Sequence, residues 1–177
     1  PVWASNNATL FYTANNPISL LSEKIKKHRL GTAPTNDMVV YEETDKSNYI
    51  GVEKSKNNRY IFNLSQATLS SETWYIPANQ PDAAFSCFQP RMKEVLYDVY
   101  ALEDCFLITT NQHALNFRLM ETPLDQTGAD HWKEIIPHRS DVLLQGLEVF
   151  RNFIVINERK HGLASLRVRE LSSRNEH

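Results

Sequence analysis

Short runs of alternating large apolar and polar residues recur along the chain, separated by polar clusters that suit turns. The clearest set lies between Asn48 and Ile76. Tyr49–Glu53, Tyr60–Leu64 and Thr73–Ile76 are each rich in aromatic and β-branched residues, the composition of half-buried strands. The polar cluster 54–59 joins the first two, and the mostly polar stretch 65–71 joins the last two. Together they predict a β-meander of strand, tight turn, strand, loop, strand.

That meander repeats. Its apolar middle strand recurs at Leu10–Tyr12, Tyr60–Phe62, Phe106–Ile108 and Phe153–Val155, in steps of 50, 46 and 47 residues. A more polar strand follows around Ile25, Trp74, Leu119 and Leu166, in steps of 49, 45 and 47. A further strand recurs at Met38–Glu42, Ala83–Phe88 and Trp132–Ile136. Three strand series sharing one period of roughly 45–50 residues point to propeller blades. A four-stranded blade cannot bury both of its faces alone, so blades must stack.

The predicted fold is therefore all-β, a partial β-propeller of about three and a half four-stranded antiparallel blades. The blade units are 1–45, 47–90, 94–137 and 142–169. Val2–Ala4 reads as extended, yet the first unit is expected to lack its innermost strand and the last its outermost. Ile18–Arg29 could form a short amphipathic helix, but Lys24–Leu30 falls in the repeat register and reads as a strand. A closed propeller needs about four to eight blades, and the chain begins at Pro1 without Met, so it reads as a piece cut from a longer ring.

Composition narrows the function classes. The 177 residues carry a net charge of −2, which argues against a nucleic-acid surface. No apolar run approaches the ~18 residues of a membrane helix, so no membrane partner is expected. Cys87 and Cys105 are the two cysteines and lack metal-type spacing, which fits a reducing, cytoplasmic location.

Catalytic motifs are missing. The glycines stand at 31, 51, 128, 146 and 162, so neither G-x-S-x-G nor a phosphate-cradling Gly-rich loop can be built. The six histidines form no H-x-x-x-H, and neither a metal nor a cofactor is expected. Asn7-Ala8-Thr9 and Asn63-Leu64-Ser65 match the glycosylation sequon but read as chance occurrences. Arg139, Glu158 and Arg159 stand at the ends of apolar strands. Solvated loop charge is the plain reading; the sharper one is that they line a channel or meet a partner domain.

Several strings occur in an ordered series: MVVYEETDKSNYIGVEKSK at 38–56, TLSSETW at 68–74, FQPR at 88–91, WKEIIPHR at 132–139, and Glu158-Arg159 followed by Gly162-Leu163 and Leu166-Arg167-Val168. From about Trp3 to Val168 the chain resembles the propeller of the prolyl oligopeptidase family, in its oligopeptidase B branch. The resemblance implies a propeller joined to a C-terminal α/β-hydrolase domain that holds a Ser-Asp-His triad and selects Lys or Arg before the cleaved bond. It implies a gating role, with short basic peptides admitted and folded proteins refused. No triad position falls within this chain, so the segment is expected to be inactive alone, with the absent catalytic domain as its partner.

Two other function classes fit the sequence less well. An independent scaffold for protein partners would favour G-H…W-D repeats, and no Trp-Asp pair occurs. A carbohydrate-acting propeller needs two carboxylates converging on one bond, whereas Glu42 and Glu43 are adjacent on a strand and point to opposite faces. Faces left bare at the cut ends predict self-association of the isolated chain, above all through 142–169.

Overall fold

The computed structural model describes residues 1–173, 175 and 176. Among them the extended runs form four antiparallel sheets, three of four strands and one of three, grouped into two compact units, Pro1–Glu94 and Val95–His177.

The first unit holds two sheets. One contains β1 (Val2–Trp3), β2 (Thr9–Asn15), β3 (Ser22–Arg29) and β4 (Met38–Glu42) in that order. The other contains β5 (Tyr49–Lys54), β6 (Tyr60–Gln66), β7 (Ser71–Pro77) and β8 (Ser86–Gln89). Phe11 and Ile25 of the first sheet bury fully against Ile61 and Ile76 of the second, joined by Ala4, Ile50 and Ala78. Phe11 also meets the edge of Phe85 at 5.9 Å between ring centroids. Each large apolar side chain removed from water in this way contributes about 1.5–3 kcal/mol before entropic costs.

In the second unit, β9 (Tyr97–Ala101), β10 (Cys105–Thr110), β11 (Arg118–Pro123) and β12 (Lys133–Ile136) form a four-stranded sheet. β13 (Val142–Val149), β14 (Phe153–Lys160) and β15 (Leu163–Glu170) form the three-stranded one. Leu107, Leu119 and Ile136 pack against Leu144, Leu147, Ile154 and Ile156. β14 alternates strictly, with Ile154, Ile156 and Glu158 buried and Phe153 and Arg159 exposed, the signature of a sheet covered on one face. β10 is buried from Phe106 to Thr110 without alternation, as expected where both faces are covered.

Several expectations change in detail. The first sheet does have its innermost strand: Val2 pairs with Phe11 and Trp3 with Leu10. Two residues are too few to show a period in sequence. The segment before β3 is a turn closed by hydrogen bonds between Asn16 and both Leu20 and Leu21, with Leu20 at φ 62°, and no helix forms there. β8 starts only at Ser86, because 81–85 is loop. Trp132 precedes β12; its ring is buried and its Nε1 donates to the Thr127 carbonyl at 2.8 Å. Beyond β15 one antiparallel bridge, Arg169 to Glu176, lies along the outer edge of the last sheet. The sequon at Asn63 is closed, since Asn63 and Ser65 are both fully buried.

Candidate functional site

The three candidate residues fall into separate sets of partners. Arg139 lies between β12 and β13. Its guanidinium grips Asp141 through two bonds, Nη2 to Oδ2 at 2.9 Å and Nε to Oδ1 at 3.3 Å. Lys160, at the end of β14, reaches the same carboxylate at 3.1 Å. The Arg139 and Lys160 bonds hold the Asp141 carboxyl down to about 2. Asn116 Nδ2 donates to the carbonyls of both Arg139 and Ser140, so the backbone here is fixed while the Arg139 head stays half-exposed.

Glu158 and Arg159 are consecutive on β14 and therefore point to opposite faces. Glu158 is only 9% exposed and accepts from Arg167 Nη2 at 2.5 Å. Arg167 also donates to Glu176 at 2.8 Å, and Arg169 donates to the Ile135 carbonyl at 3.2 Å. Glu158 thus belongs to an ion network on the covered face of the last sheet. Arg159 is exposed, and its guanidinium donates to the Gly162 carbonyl at 3.1 Å, bracing the β14–β15 turn.

Two polar centres in the first unit were not singled out from sequence. Asp37 accepts from Tyr12 Oη at 2.6 Å and pairs with His28 Nδ1 at 2.7 Å. The bond to Asp37 pushes the Tyr12 phenol up to about 12, while the same bond pulls the Asp37 carboxyl down. This is an Asp-oriented histidine, but no serine or cysteine side chain is hydrogen-bonded to its ring among the described residues, so no nucleophile is activated there. The two thiols are not activated either: burial pushes Cys87 up to about 11 and moves Cys105 in the same direction.

The other centre gathers around Glu43, just past β4. Its carboxylate takes Ser65 Oγ at 2.5 Å, Arg91 Nη2 at 2.7 Å, the Asp45 amide at 2.9 Å and Tyr41 Oη at 3.3 Å. Arg91, just past β8, also receives support through its own amide, which donates to Glu72 at 2.9 Å; the other Glu72 oxygen takes Trp74 Nε1 at 2.6 Å. Glu43 and Arg91 are 48 residues apart, one repeat, so they occupy like positions at the ends of successive sheets. An acidic run after one fourth strand, answered by Arg after the next, was the available sequence signal. Glu42, its neighbour, faces the other way and pairs with Lys24 at 3.2 Å, so the two carboxylates do not converge.

Residues 1–176 match the family model described as prolyl oligopeptidase, N-terminal beta-propeller domain. The chain belongs to that family. It is 40% identical over 168 residues to dipeptidyl aminopeptidase BI of Pseudoxanthomonas mexicana, covering 94% of this chain and 23% of that protein. It is 31% identical over 140 residues to protease 2 of Moraxella lacunata, covering 79% and 20%. Among solved structures, oligopeptidase B from Leishmania major superposes with a TM-score of 0.91 at 25% identity, over 98% of this chain and 24% of that one. The Trypanosoma brucei oligopeptidase B with covalently bound antipain gives the same TM-score at 24% identity, over 97% and 24%. The chain thus spans about a quarter of the length of these relatives.

Within the prolyl oligopeptidase propeller family, the ion pairs of this segment are readily understood as fastenings. They tie strand ends and turns to neighbouring strands. Among the described residues no group of three His, Cys, Asp or Glu is placed to hold a metal ion.

Proposed function

We propose that this chain is a gating segment of the β-propeller of a serine peptidase, itself non-catalytic, that acts with an α/β-hydrolase domain elsewhere in the full-length protein. The observation carrying the reading is the family match across residues 1–176. Rigid stacked sheets would admit a flexible peptide and refuse a folded protein. On this reading the full-length enzyme cleaves short peptides after Lys or Arg, which the likeness to protease 2 and to oligopeptidase B structures supports. Two free cysteines support a cytoplasmic location. The exposed heads of Arg139 and Arg159 are the candidates for meeting the catalytic domain; Glu158 would act through Arg167.

A second reading has its own support. The 40% identity to dipeptidyl aminopeptidase BI favours an enzyme that removes dipeptides from free N-termini. One experiment separates the two. The full-length protein is assayed on matched peptides with Arg at the cleavage point, N-terminally blocked or free. Cleavage of blocked peptides after Arg supports the first reading, and turnover confined to free N-terminal dipeptides supports the second. No turnover on either set, with a serine-directed reagent failing to label the protein, overturns both.

A further inference from the structure

We propose that Arg91 latches the segment Pro90–Glu94, the chain leaving β8, onto the chain leaving β4, and that this latch opens in acid while both sheets stay folded. Arg91 is the crossing point. Its Nη2 reaches Glu43 at 2.7 Å and Ser65 Oγ at 3.0 Å, its Nη1 reaches Asp45 at 3.4 Å, and its amide donates to Glu72 at 2.9 Å. The Arg91 side chain therefore joins the linker after β4 to the middle strand β6, and its backbone amide ties the same residue to β7. Lys93 and Glu94 of the segment are exposed, and Glu94 holds a left-handed backbone at φ 59°, a conformation disfavoured for a residue with a Cβ.

The groups facing the latch are Tyr41 from β4, Asp45 from the linker, Ser65 from β6, Glu72 from β7 with Cys87 of β8 beside it, and Arg91 itself. Burial raises the Glu43 carboxyl, but bonds from Ser65, the Asp45 amide and Arg91 outweigh it and hold the group below its ordinary value. The Asp45 carboxyl is likewise lowered, by its bonds from Ser47. Burial pushes the Tyr41 hydroxyl well up, so it stays a neutral donor throughout. A carboxyl lowered in the folded state contributes in full above its unfolded pKa, and the contribution is lost as pH falls through the folded value. Once Glu43 is protonated, a partly buried guanidinium loses its nearest anion and is better solvated outside. Phe11, Ile25, Ile61 and Ile76 carry no charge, and Tyr41, which packs against them, keeps its apolar ring contact whether or not Glu43 is ionised, so the sheets hold when the charge is lost.

The test is amide hydrogen exchange on the whole chain, corrected for the intrinsic pH dependence, with Trp74 fluorescence as a local reporter. Trp74 is suited because it shares Glu72 with the Arg91 amide. Glu43→Gln at neutral pH, and the parent in acid below the ordinary carboxylate range, should each speed exchange at 91–94 at least tenfold and shift Trp74 emission, with β6 amides unchanged. Arg91→Lys keeps the charge without the fork and should fall between. Lys24→Ala, which removes the exposed pair with Glu42, should leave 91–94 as in the parent. If Arg91→Ala fails to fold, Glu43→Gln and Arg91→Lys still decide. Unaltered exchange at 91–94 in Glu43→Gln overturns the latch. So does joint acceleration of 91–94 and β6, which would make the network a plain structural support.

Discussion

At the scale of single residues, burial rather than residue type separates positions that look equivalent in the repeat. Phe106 and Phe153 both begin the apolar middle run, yet Phe106 is fully buried and Phe153 is 36% exposed and stacked on Phe150 at 4.7 Å. Phe106→Ala should cost about 3–5 kcal/mol, whereas Phe153→Ala should cost clearly less. Urea melts of the two variants check this, and equal losses would mean that the exposed face of β14 is covered in solution. Glu158 is a second case. Its strand-end appearance hid a buried carboxylate bonded to Arg167. Glu158→Ala should destabilise by about 1–3 kcal/mol, the range for losing a charged hydrogen bond that is partly buried. Arg159→Ala should leave stability within about 0.5 kcal/mol, as for an exposed surface change. In the full-length protein, activity of Arg159→Ala that matched the parent at every salt concentration would remove Arg159 from the proposed domain contact.

At the scale of elements, turn chemistry sets the register. Lys160 pairs with Leu163 across a two-residue loop in which His161 and Gly162 have φ of 49° and 81°. That pair of positive φ values marks the hairpin turn that follows the right-handed twist of the strands. A Cβ at Gly162 would meet nothing within 4 Å, so any loss in Gly162→Ala comes from the backbone alone. The cost should be about 1–2 kcal/mol. Thermal unfolding measures it, and no change would show that this turn is already frayed. The β5–β6 turn reaches the same end differently. Asn58 takes φ 61° while the Asn57 side chain accepts from the Ser55 hydroxyl at 2.7 Å and the Arg59 amide at 3.2 Å. The polar cluster there was enough to predict the turn, because Asn and Ser bond their own backbone.

At the scale of the whole chain, the exposed face of the last sheet matters most. Phe150, Phe153 and Leu166 stand out on it, with Leu166 at 67% exposure, while Ile154 and Ile156 on the other face are sealed. Apolar patches of this kind drive association in water. The isolated 177-residue chain should therefore self-associate, and Leu166→Lys should weaken that association without unfolding the sheet. Light scattering over a concentration series reads both. A monomer at tens of micromolar, with no dye-detectable apolar surface, would refute the prediction.

The sequence by itself determined the all-β class, the repeat of about 45–50 residues and the family, because strand periodicity and turn residues are local properties written in neighbouring positions. It located β6, β10 and β14 through their aromatic and β-branched runs. It marked Val2–Ala4 as extended but could not place β1 as the innermost strand, because its two paired residues carry no period, nor could it divide Glu158 from Arg159, since that division depends on which face of β14 another sheet covers. The partnership of Glu43 with Arg91 was decided by tertiary structure for the same reason. Two charges 48 residues apart become a pair only when successive sheets stack and exclude water from between them. Long-range stacking is where chain neighbours stop informing one another, and there burial alone turns a charge from a solvated surface group into a fastening.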